Sequence, residues 1–444
     1  MAKIGNTRVF RLSRLVRGVT LATLVSTVGL LTACQEPAPT GAGSSPSDSS
    51  PSAGGGDGLK IGTLLPATGD LASVGQPMLA SVPLLVETVN ACGGVNGKPV
   101  TLVTADDQTD PAAGVEAMTK LVEVDKVAGV VGSFASGVSG AAVNVAVRGK
   151  VMMISPGSTS PVLTERAKKG EFDGFWARTA PPDTYQAKAL AKLASERGLK
   201  KVATIAINND YGVAFEQEFV KAFKALGGTV VNESNPTRYD PKATTFDTEV
   251  KAAFGSKPDG VAAVLYAETG SLVLKAAYQQ NLMQGVTVLL TDGVYADDFP
   301  AQVGKTKEGK VILSGAIGTV PGAGGKDLAA FTKFWEEKQK RPMAPYVPHS
   351  WDAAALLVLS AQASGQNTGE GIRNKLRDVA NAPGEEVSDV CKALELLKQG
   401  KDINYQGMSG SVDIDEYGDV SGVYDIWQVE PDGKLKVVGQ VTPQ

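Results

Sequence analysis

Residues 130–161 read VVGSFASGVSGAAVNVAVRGKVMMISPGSTSP and contain two apolar runs that each end in a polar loop. The runs Val127–Val131 and Val151–Ile154 are short and rich in β-branched residues, as buried parallel strands are. Glycine and hydroxyl residues follow each run, GSFASG after the first and SPGSTS after the second. A helical pattern covers Val138–Val147, so we predict that a helix begins near Ser136.

These two loops define a candidate ligand site. In an open α/β sheet, ligands bind beyond the carboxyl ends of the strands, where helix N-termini and loop amides point outward. A helix that starts at Ser136 offers amide groups and a hydroxyl to an anion such as a carboxylate. A single loop of this kind is explained more simply as N-cap and turn residues. Two such loops, one after each of two successive strands, favour a ligand site.

Length and composition argue against several classes of function. A chain of 444 residues holds about two or three domains and a large core. The formal net charge of −4 argues against a nucleic-acid partner, which would require a basic face. His349 is the single histidine, so we expect no metal site and no cofactor, and any Ser-His-Asp triad would depend on it. A structural or capping role for His349 is the favoured interpretation.

The first 58 residues predict export and anchoring. Residues 1–33 combine spaced arginines with the apolar run Val19–Leu31, as a signal peptide does. The sequence Leu-Thr-Ala-Cys ending at Cys34 resembles a bacterial lipobox, which predicts lipidation of Cys34; the alternative is an ordinary signal peptide with a chance cysteine. Residues 34–58 then form a lipidated cysteine and a flexible linker, because Gln35–Gly58 contains no large apolar residue.

From Leu59 onward, short apolar runs alternate with helical patterns, which predicts an α/β body with mostly parallel sheets. The predicted strands are Leu59–Leu65, Val100–Ala105, Val127–Val131, Val151–Ile154, Val202–Ile207, Thr229–Asn232, Gly260–Leu265, Val286–Leu290 and Val311–Ala316. The predicted helices include Gln76–Ala91, Pro111–Val124, Asp183–Glu196, Tyr211–Leu226, Phe331–Gln339, Ser350–Ala363, Gly371–Val379 and Ser388–Gln399. Three β-like segments follow, at Gly410–Ile414, Gly422–Val429 and Leu435–Val438. Nine parallel strands in one sheet would be large, so two lobes are favoured.

Two further strand-to-loop junctions resemble the first pair. One is NNDYG at residues 208–212, where Tyr211 begins an aromatic stripe whose other members, Phe215, Phe219 and Phe223, are expected in the core. The other is TDGVY at residues 291–295.

Six fragments carry a family resemblance, in this order: LKIGTLLPATGDLASVGQPM, VNACGGVNGKPVTLVTADDQTDP, GSFASG, MMISPGSTSPVLT, NDYGVAF and LLTDGVY. Together they resemble the type I periplasmic binding proteins of branched-chain and neutral amino-acid ABC transporters, over roughly residues 59–438. The resemblance implies two α/β lobes, each a mostly parallel sheet flanked by helices, joined by three crossovers near Thr179, Ile317 and Asp425. Lobe one would comprise residues 59–179 and 318–425, and lobe two residues 180–317 and 426–444.

The same resemblance implies ligand contacts. Ser136 matches the serine that holds the ligand carboxylate through its hydroxyl and N–H. Gly157 and Thr159 match the pair that offers a carbonyl and a hydroxyl to the α-ammonium. Asp292 matches a carboxylate that pairs with that ammonium, and Tyr211 matches an aromatic residue that covers the ligand. Donors at one end and acceptors at the other suit a buried zwitterion.

The side-chain pocket departs from the family pattern. Val74 stands where branched-chain binders have a tyrosine, and Phe134 and Ala135 also differ from the family's residues. Tyr266 and Glu268 are the candidates for a further second-lobe pocket residue. The preferred amino acid therefore stays open.

Cys92 and Cys391 would lie in an oxidising compartment once Cys34 is lipidated. The sequence leaves open whether they form a disulfide or stay as two buried thiols, because it does not give the distance between their Cα atoms.

The resemblance implies an extracytoplasmic, lipid-anchored, monomeric protein that delivers a neutral amino acid to ABC permease subunits with cytoplasmic ATPases. The alternatives are the same fold binding urea, a short amide or an aromatic acid, and a ligand sensor. An enzyme is not expected, because the sequence contains no G-x-S-x-G elbow, no P-loop and no G-x-G-x-x-G after a strand.

Overall fold

The computed structural model describes residues 58–442 of the chain, which contain alternating strands and helices. The strands are β1 Lys60–Leu65, β2 Thr101–Asp106, β3 Gly129–Gly132, β4 Met152–Ser155, β5 Trp176–Arg178, β6 Lys201–Ile207, β7 Thr229–Val230, β8 Thr237–Tyr239, β9 Gly260–Val264, β10 Thr287–Leu290, β11 Ile317–Pro321, β12 Glu385–Val387, β13 Ile403–Tyr405, β14 Tyr424–Val429 and β15 Leu435–Val441. The helices are α1 Ala72–Ala91, α2 Pro111–Glu123, α3 Ser136–Gly149, α4 Pro161–Lys168, α5 Asp183–Glu196, α6 Asp210–Ala225, α7 Asp247–Phe254, α8 Ala267–Gln279, α9 Phe299–Val303, α10 Leu328–Gln339, α11 Val347–Ser364, α12 Gly369–Ala380 and α13 Val390–Lys398.

The first lobe is built on a parallel sheet with strand order β2-β1-β3-β4-β5. Leu64 of β1 lies beside Ala105 on one side and Gly132 on the other, so the carboxyl ends of the strands meet at one edge. Helices α10 to α13 pack on this lobe although they come much later in the chain. Helix α11 is buried from Val347 to Ala361, which explains its nearly continuous apolar sequence.

The second lobe is built on a sheet with strand order β15-β14-β11-β10-β9-β6-β7, in which β8 also pairs with β6. Strands β6, β9, β10 and β11 run parallel, whereas β14 and β15 are antiparallel to their neighbours. The apolar core of this lobe continues across the cleft to Val74, Phe134 and Tyr346 of the first lobe. The two lobes are therefore closed on each other.

The chain passes between the lobes three times. It leaves the first sheet after β5, returns after β11 and enters the second sheet again at β14. The second crossing lies a few residues later than the predicted position at Ile317, because Ile317–Pro321 pairs with β14 as a strand of the second sheet.

Two predicted strands are wrong. In place of Val311–Ala316 the structure has only an isolated bridge at Val311, and the strand begins at Ile317. Gly315 explains the difference, because its φ of 88° turns the chain just before the strand. The segment Gly410–Ile414 likewise contains only a bridge at Ser411.

A disulfide links the residue after α1 to α13 within the first lobe. Cys92 and Cys391 are bonded with their Cα atoms 5.8 Å apart, across 299 residues of sequence. The expectations for the signal peptide, Cys34 and most of the linker fall outside the described residues. Between residues 58 and 442, none of the helices combines the length and apolarity needed to cross a membrane.

Candidate functional site

The two hydroxyl-rich loops of the first lobe meet at the carboxyl ends of β3 and β4. Helix α3 begins at Ser136, which is buried, and its first turn has no side-chain cap. The Ser136 hydroxyl accepts a hydrogen bond from the Ser160 amide at 3.2 Å. The loops therefore form one polar surface, at which the first turn of α3 has amide groups without intrahelical acceptors.

Residue 157 must be a glycine because the ring of Phe134 packs directly against its backbone. A Cβ atom at residue 157 would lie 2.1 Å from a ring carbon of Phe134. The Phe134 ring packs edge-on against Tyr346, with ring centroids 4.7 Å apart. The glycine therefore lets an aromatic residue pack directly over the second loop.

Thr159 faces a buried carboxylate that the sequence analysis did not identify. The Thr159 carbonyl accepts a hydrogen bond from the amide of Asp183, the first residue of α5, at 2.8 Å. The hydroxyl of Thr159 and both carboxylate oxygens of Asp183 are buried without a hydrogen-bond partner of good geometry. Buried polar atoms are rarely left in this state, so the cluster is suited to receive a polar group from outside.

Asp292 lies on the opposite wall, in the single 3₁₀ turn that follows β10. One carboxylate oxygen accepts hydrogen bonds from Gln186 at 2.9 Å and from the Tyr211 hydroxyl at 2.8 Å. The other accepts a hydrogen bond from the hydroxyl of Tyr346 at 2.9 Å. Tyr346 precedes α11 of the first lobe, so this hydrogen bond joins the two lobes.

Ionisation of either carboxyl group is unfavourable at this buried site. Burial raises the pKa of Asp183 well above the usual range, and the nearby charge of Asp292 raises it further, against smaller opposite effects of Thr159 and Arg178. Burial also raises the pKa of Asp292, while hydrogen bonds from Tyr211 and Tyr346 lower it. A cationic group placed between the two would relieve both effects.

Aromatic side chains surround this acidic pair. Tyr211 stacks on Tyr266 with ring centroids 5.5 Å apart, and both residues are buried. Val74 and Ala135 are buried on the first-lobe side. A cavity of 220 Å³ beside Val74 is lined from the second lobe by residues 295–298 and from the first by the loop just before Tyr346.

Glu268 lies at the mouth of the cleft and is only half-buried. Its amide donates to the carbonyl of Asp70 at 3.2 Å, and the next residue, Thr269, donates to the Asp70 carboxylate through both its amide and its hydroxyl, each at 2.6 Å. Asp70 belongs to the first lobe and α8 to the second. Asp70 therefore caps the N-terminus of a helix in the other lobe.

Asp183, Gln186 and Tyr346 are the site residues that sequence reasoning missed. Asp183 had one usable signal, since it begins a predicted helix directly after a predicted crossing between lobes. Tyr346 offered none, because it occupies an irregular position with φ of 64°.

His349 is fully buried, and this burial lowers its pKa to about 3, so the imidazole is uncharged. Its ring lies 5.4 Å from that of Tyr346. Among residues 58–442, no three or more His, Cys, Asp or Glu side chains are arranged to hold a metal ion.

A two-lobed α/β fold with a polar clamp between the lobes is the architecture of a solute-binding protein that encloses a small molecule. The family of receptor ligand-binding regions matches residues 77–432, and the chain belongs to this family.

The alignments with individual relatives extend over most of the chain. The chemotactic signal transduction system substrate-binding protein BasB of Halobacterium salinarum is 27% identical over 80% of this chain and 83% of its own length. A Leu/Ile/Val-binding protein homologue of Brucella abortus is 29% identical over 70% of this chain and 79% of its own. The crystal structure of the leucine-binding protein LivK of Thermotoga maritima superposes with a TM-score of 0.72, at 23% identity, over 87% of this chain and 99% of LivK.

Proposed function

We propose that the protein captures an amino acid between its lobes by hinge closure. The observation that carries the proposal is the buried pair Asp183 and Asp292, since burial raises the pKa of both carboxyl groups and the oxygens of Asp183 lack hydrogen-bond partners of good geometry. Burial of a charge is tolerated when the charge is paired and hydrogen-bonded. An α-ammonium group would satisfy this need.

The other end of the clamp suits a carboxylate. The ligand carboxylate would bind at the first turn of α3, to the hydroxyl of Ser136 and the backbone amides there. The ammonium would bind to Thr159, Asp183 and Asp292, with the carbonyl of Gly157 near it. Tyr211 and Tyr346 fix the carboxylate of Asp292 through their hydroxyls. The carboxylate of a zwitterion would thus receive hydrogen-bond donors, and the ammonium would receive acceptors that include two carboxyl groups.

The side chain of the ligand would lie toward Val74, Phe134, Ala135 and Tyr266. These residues are buried and predominantly apolar, which favours a neutral side chain of the branched-chain type. Glu268 lies outside this group, at the mouth of the cleft.

Urea, a short amide or an aromatic acid is the alternative class of ligand. None of these carries an α-ammonium, so each would leave Asp183 and Asp292 without a cationic partner, even where urea or an amide donates N–H groups to them. We therefore favour an amino acid.

For the biological role, we infer delivery of the amino acid to ABC permease subunits with cytoplasmic ATPases, by a monomer held outside the cytoplasm through lipidated Cys34. The Leu/Ile/Val-binding relative supports an amino acid as the ligand to be delivered. The chemotactic relative supports the alternative of a ligand sensor. Because relatives of both kinds are binding proteins, we propose no catalytic activity.

Thermal denaturation of the full chain, refolded free of ligand with its disulfide intact, tests this proposal. The probes are the twenty protein amino acids, urea, acetamide and benzoate. A probe at 100 times its Kd stabilises the protein by about 2.7 kcal/mol. Shifts confined to neutral amino acids are expected. A shift with urea, acetamide or benzoate alone, or no shift with any amino acid, would contradict the proposal. Uptake of the bound amino acid by cells with and without the gene then separates transport from sensing.

A further inference from the structure

Arg178, the last residue of β5, is fully buried beneath the second loop of the site. One guanidinium nitrogen donates to two backbone carbonyls, those of Ser158 and Ser160, at 3.0 Å each. These two residues flank Thr159 in the chain. The guanidinium therefore holds the backbone on both sides of the residue whose hydroxyl and carbonyl face Asp183.

The remaining donors of Arg178 fix the guanidinium itself. Its Nε donates to the carboxylate of Asp419 at 2.7 Å, and another nitrogen donates to the hydroxyl of Thr164 at 2.6 Å. Asp419 lies in a turn whose Gly418 carbonyl accepts the backbone N–H of Arg178 at 2.9 Å. A turn 241 residues away in sequence thereby anchors the arginine from behind.

Only an arginine has this set of donors in one rigid plane. A lysine could reach Asp419 or one carbonyl, but its single ammonium group cannot span both carbonyls and the carboxylate with fixed geometry. The loop of Thr159 contains Pro156 and Gly157 and belongs to no helix or strand, so it depends on such contacts for its conformation.

We propose that Arg178 is a positioning residue for ligand binding, which holds the loop at Thr159 in the conformation that receives the ammonium end of an amino acid. This inference rests on the proposed function. Arg178 acts through Thr159 and touches no ligand atom itself.

Hydrogen–deuterium exchange on the ligand-free full chain tests the structural step without any ligand. In Arg178→Lys, peptides covering residues 155–161 are expected to exchange at least about tenfold faster than in the natural protein, because a charge-assisted hydrogen bond at each flanking carbonyl is weakened. The matched control is Arg148→Met, at an exposed arginine in the last turn of α3, and exchange in this loop is expected to stay unchanged.

A double-mutant cycle tests the functional step, with each of the twenty amino acids titrated in turn into the natural protein and the variants. Arg178→Lys is expected to weaken binding about tenfold. In a Thr159→Val background the same change is expected to weaken it by less than about threefold, because the residue through which it acts has already been altered. A merely structural arginine would give equal losses in both backgrounds.

Equal losses in the cycle, or unchanged loop exchange in Arg178→Lys, would overturn the inference. If Arg178→Lys does not fold, Asp419→Asn, which keeps the arginine but weakens its anchor, is expected to show the same faster exchange and the same dependence on Thr159. Absence of binding by the natural protein to any of the twenty amino acids would instead refute the proposed function, and the exchange result would still decide whether Arg178 holds the loop.

Discussion

Asp183 and Asp292 are two buried acids, and Asp292 is the one whose geometry is fixed by three neighbours. We expect Asp292→Ala to weaken amino-acid binding by at least tenfold, since removing one partner of a buried charge pair costs about 2–5 kcal/mol. Isothermal titration of the two proteins measures the loss. The control is Asp432→Ala, an exposed acid between β14 and β15, which is expected to keep the natural affinity. Unchanged affinity in Asp292→Ala would contradict its place in the clamp.

The same pair predicts opposite effects of pH on binding and on stability. Since the pKa values of Asp183 and Asp292 are raised in the folded protein, their contribution to stability is complete below the usual carboxyl pKa and is lost as pH rises through the raised values. An ammonium group binds the ionised pair, so affinity should fall as pH decreases through those same values.

Titrations and thermal denaturation over a pH series measure both trends. Asp292→Asn serves as the comparison, because the buried acids Asp107 and Asp352, whose pKa values burial raises to about 6, also contribute to the stability profile. Affinity that rises toward acid pH would refute an ammonium-binding role.

The site residues differ in how far the sequence could reveal them. Ser136, Thr159 and Asp292 each follow a strand, and parallel strands bring their carboxyl ends together. Local pattern therefore indicated their loops, and the family resemblance supplied the individual residues Thr159 and Asp292. Asp183 and Gln186 face the cleft only because of how α5 packs after the crossing between lobes. Tyr346 reaches Asp292 from a residue 54 positions away in sequence, a contact that no periodicity encodes.

At the level of elements, α8 has no capping side chain of its own and receives one from the other lobe. An open cleft would separate Asp70 from Thr269, so this cap would form only on closure. We expect Asp70→Ala to weaken amino-acid binding about fivefold, because an N-cap is worth about 1 kcal/mol. Titration, combined with small-angle scattering to follow closure, measures the effect.

Asp389 provides the control for this prediction, since it caps α13 within the first lobe. Asp389→Ala should lower the thermal stability of the ligand-free protein and leave affinity unchanged. Equal affinity in Asp70→Ala and the natural protein would show that the cap plays no part in closure.

Long elements were the most predictable part of the fold. Helix α5 has the predicted bounds Asp183–Glu196, and α6 differs from its predicted bounds by one residue at each end. The strands β5, β8, β12 and β13 were missed, because three residues are too few to show a pattern. The predicted Val311–Ala316 strand failed because an apolar run does not reveal the turn at Gly315.

For the whole molecule, the disulfide joins the start and the end of the first lobe while the second lobe lies between them in sequence. We expect Cys92→Ser together with Cys391→Ser to lower the free energy of unfolding by about 2–5 kcal/mol, because the bond closes a long loop in the unfolded chain. Because both cysteines lie in one lobe, amino-acid affinity should stay unchanged.

Thermal denaturation and titration of the double variant check both expectations. Dithiothreitol treatment of the natural protein should reproduce the loss of stability. A loss of affinity without a loss of stability would mean that the bond shapes the cleft.

The fluorescence of Trp427 offers a direct signal of ligand binding. Its indole lies fully buried on β14, edge-on to Tyr295 with ring centroids 5.0 Å apart, and Tyr295 in turn lines the cavity beside Val74. The other three of the four tryptophans, Trp176, Trp335 and Trp351, belong to the first lobe. With those three replaced by phenylalanine, emission from residue 427 alone would follow occupancy of the cleft in real time and without an attached dye.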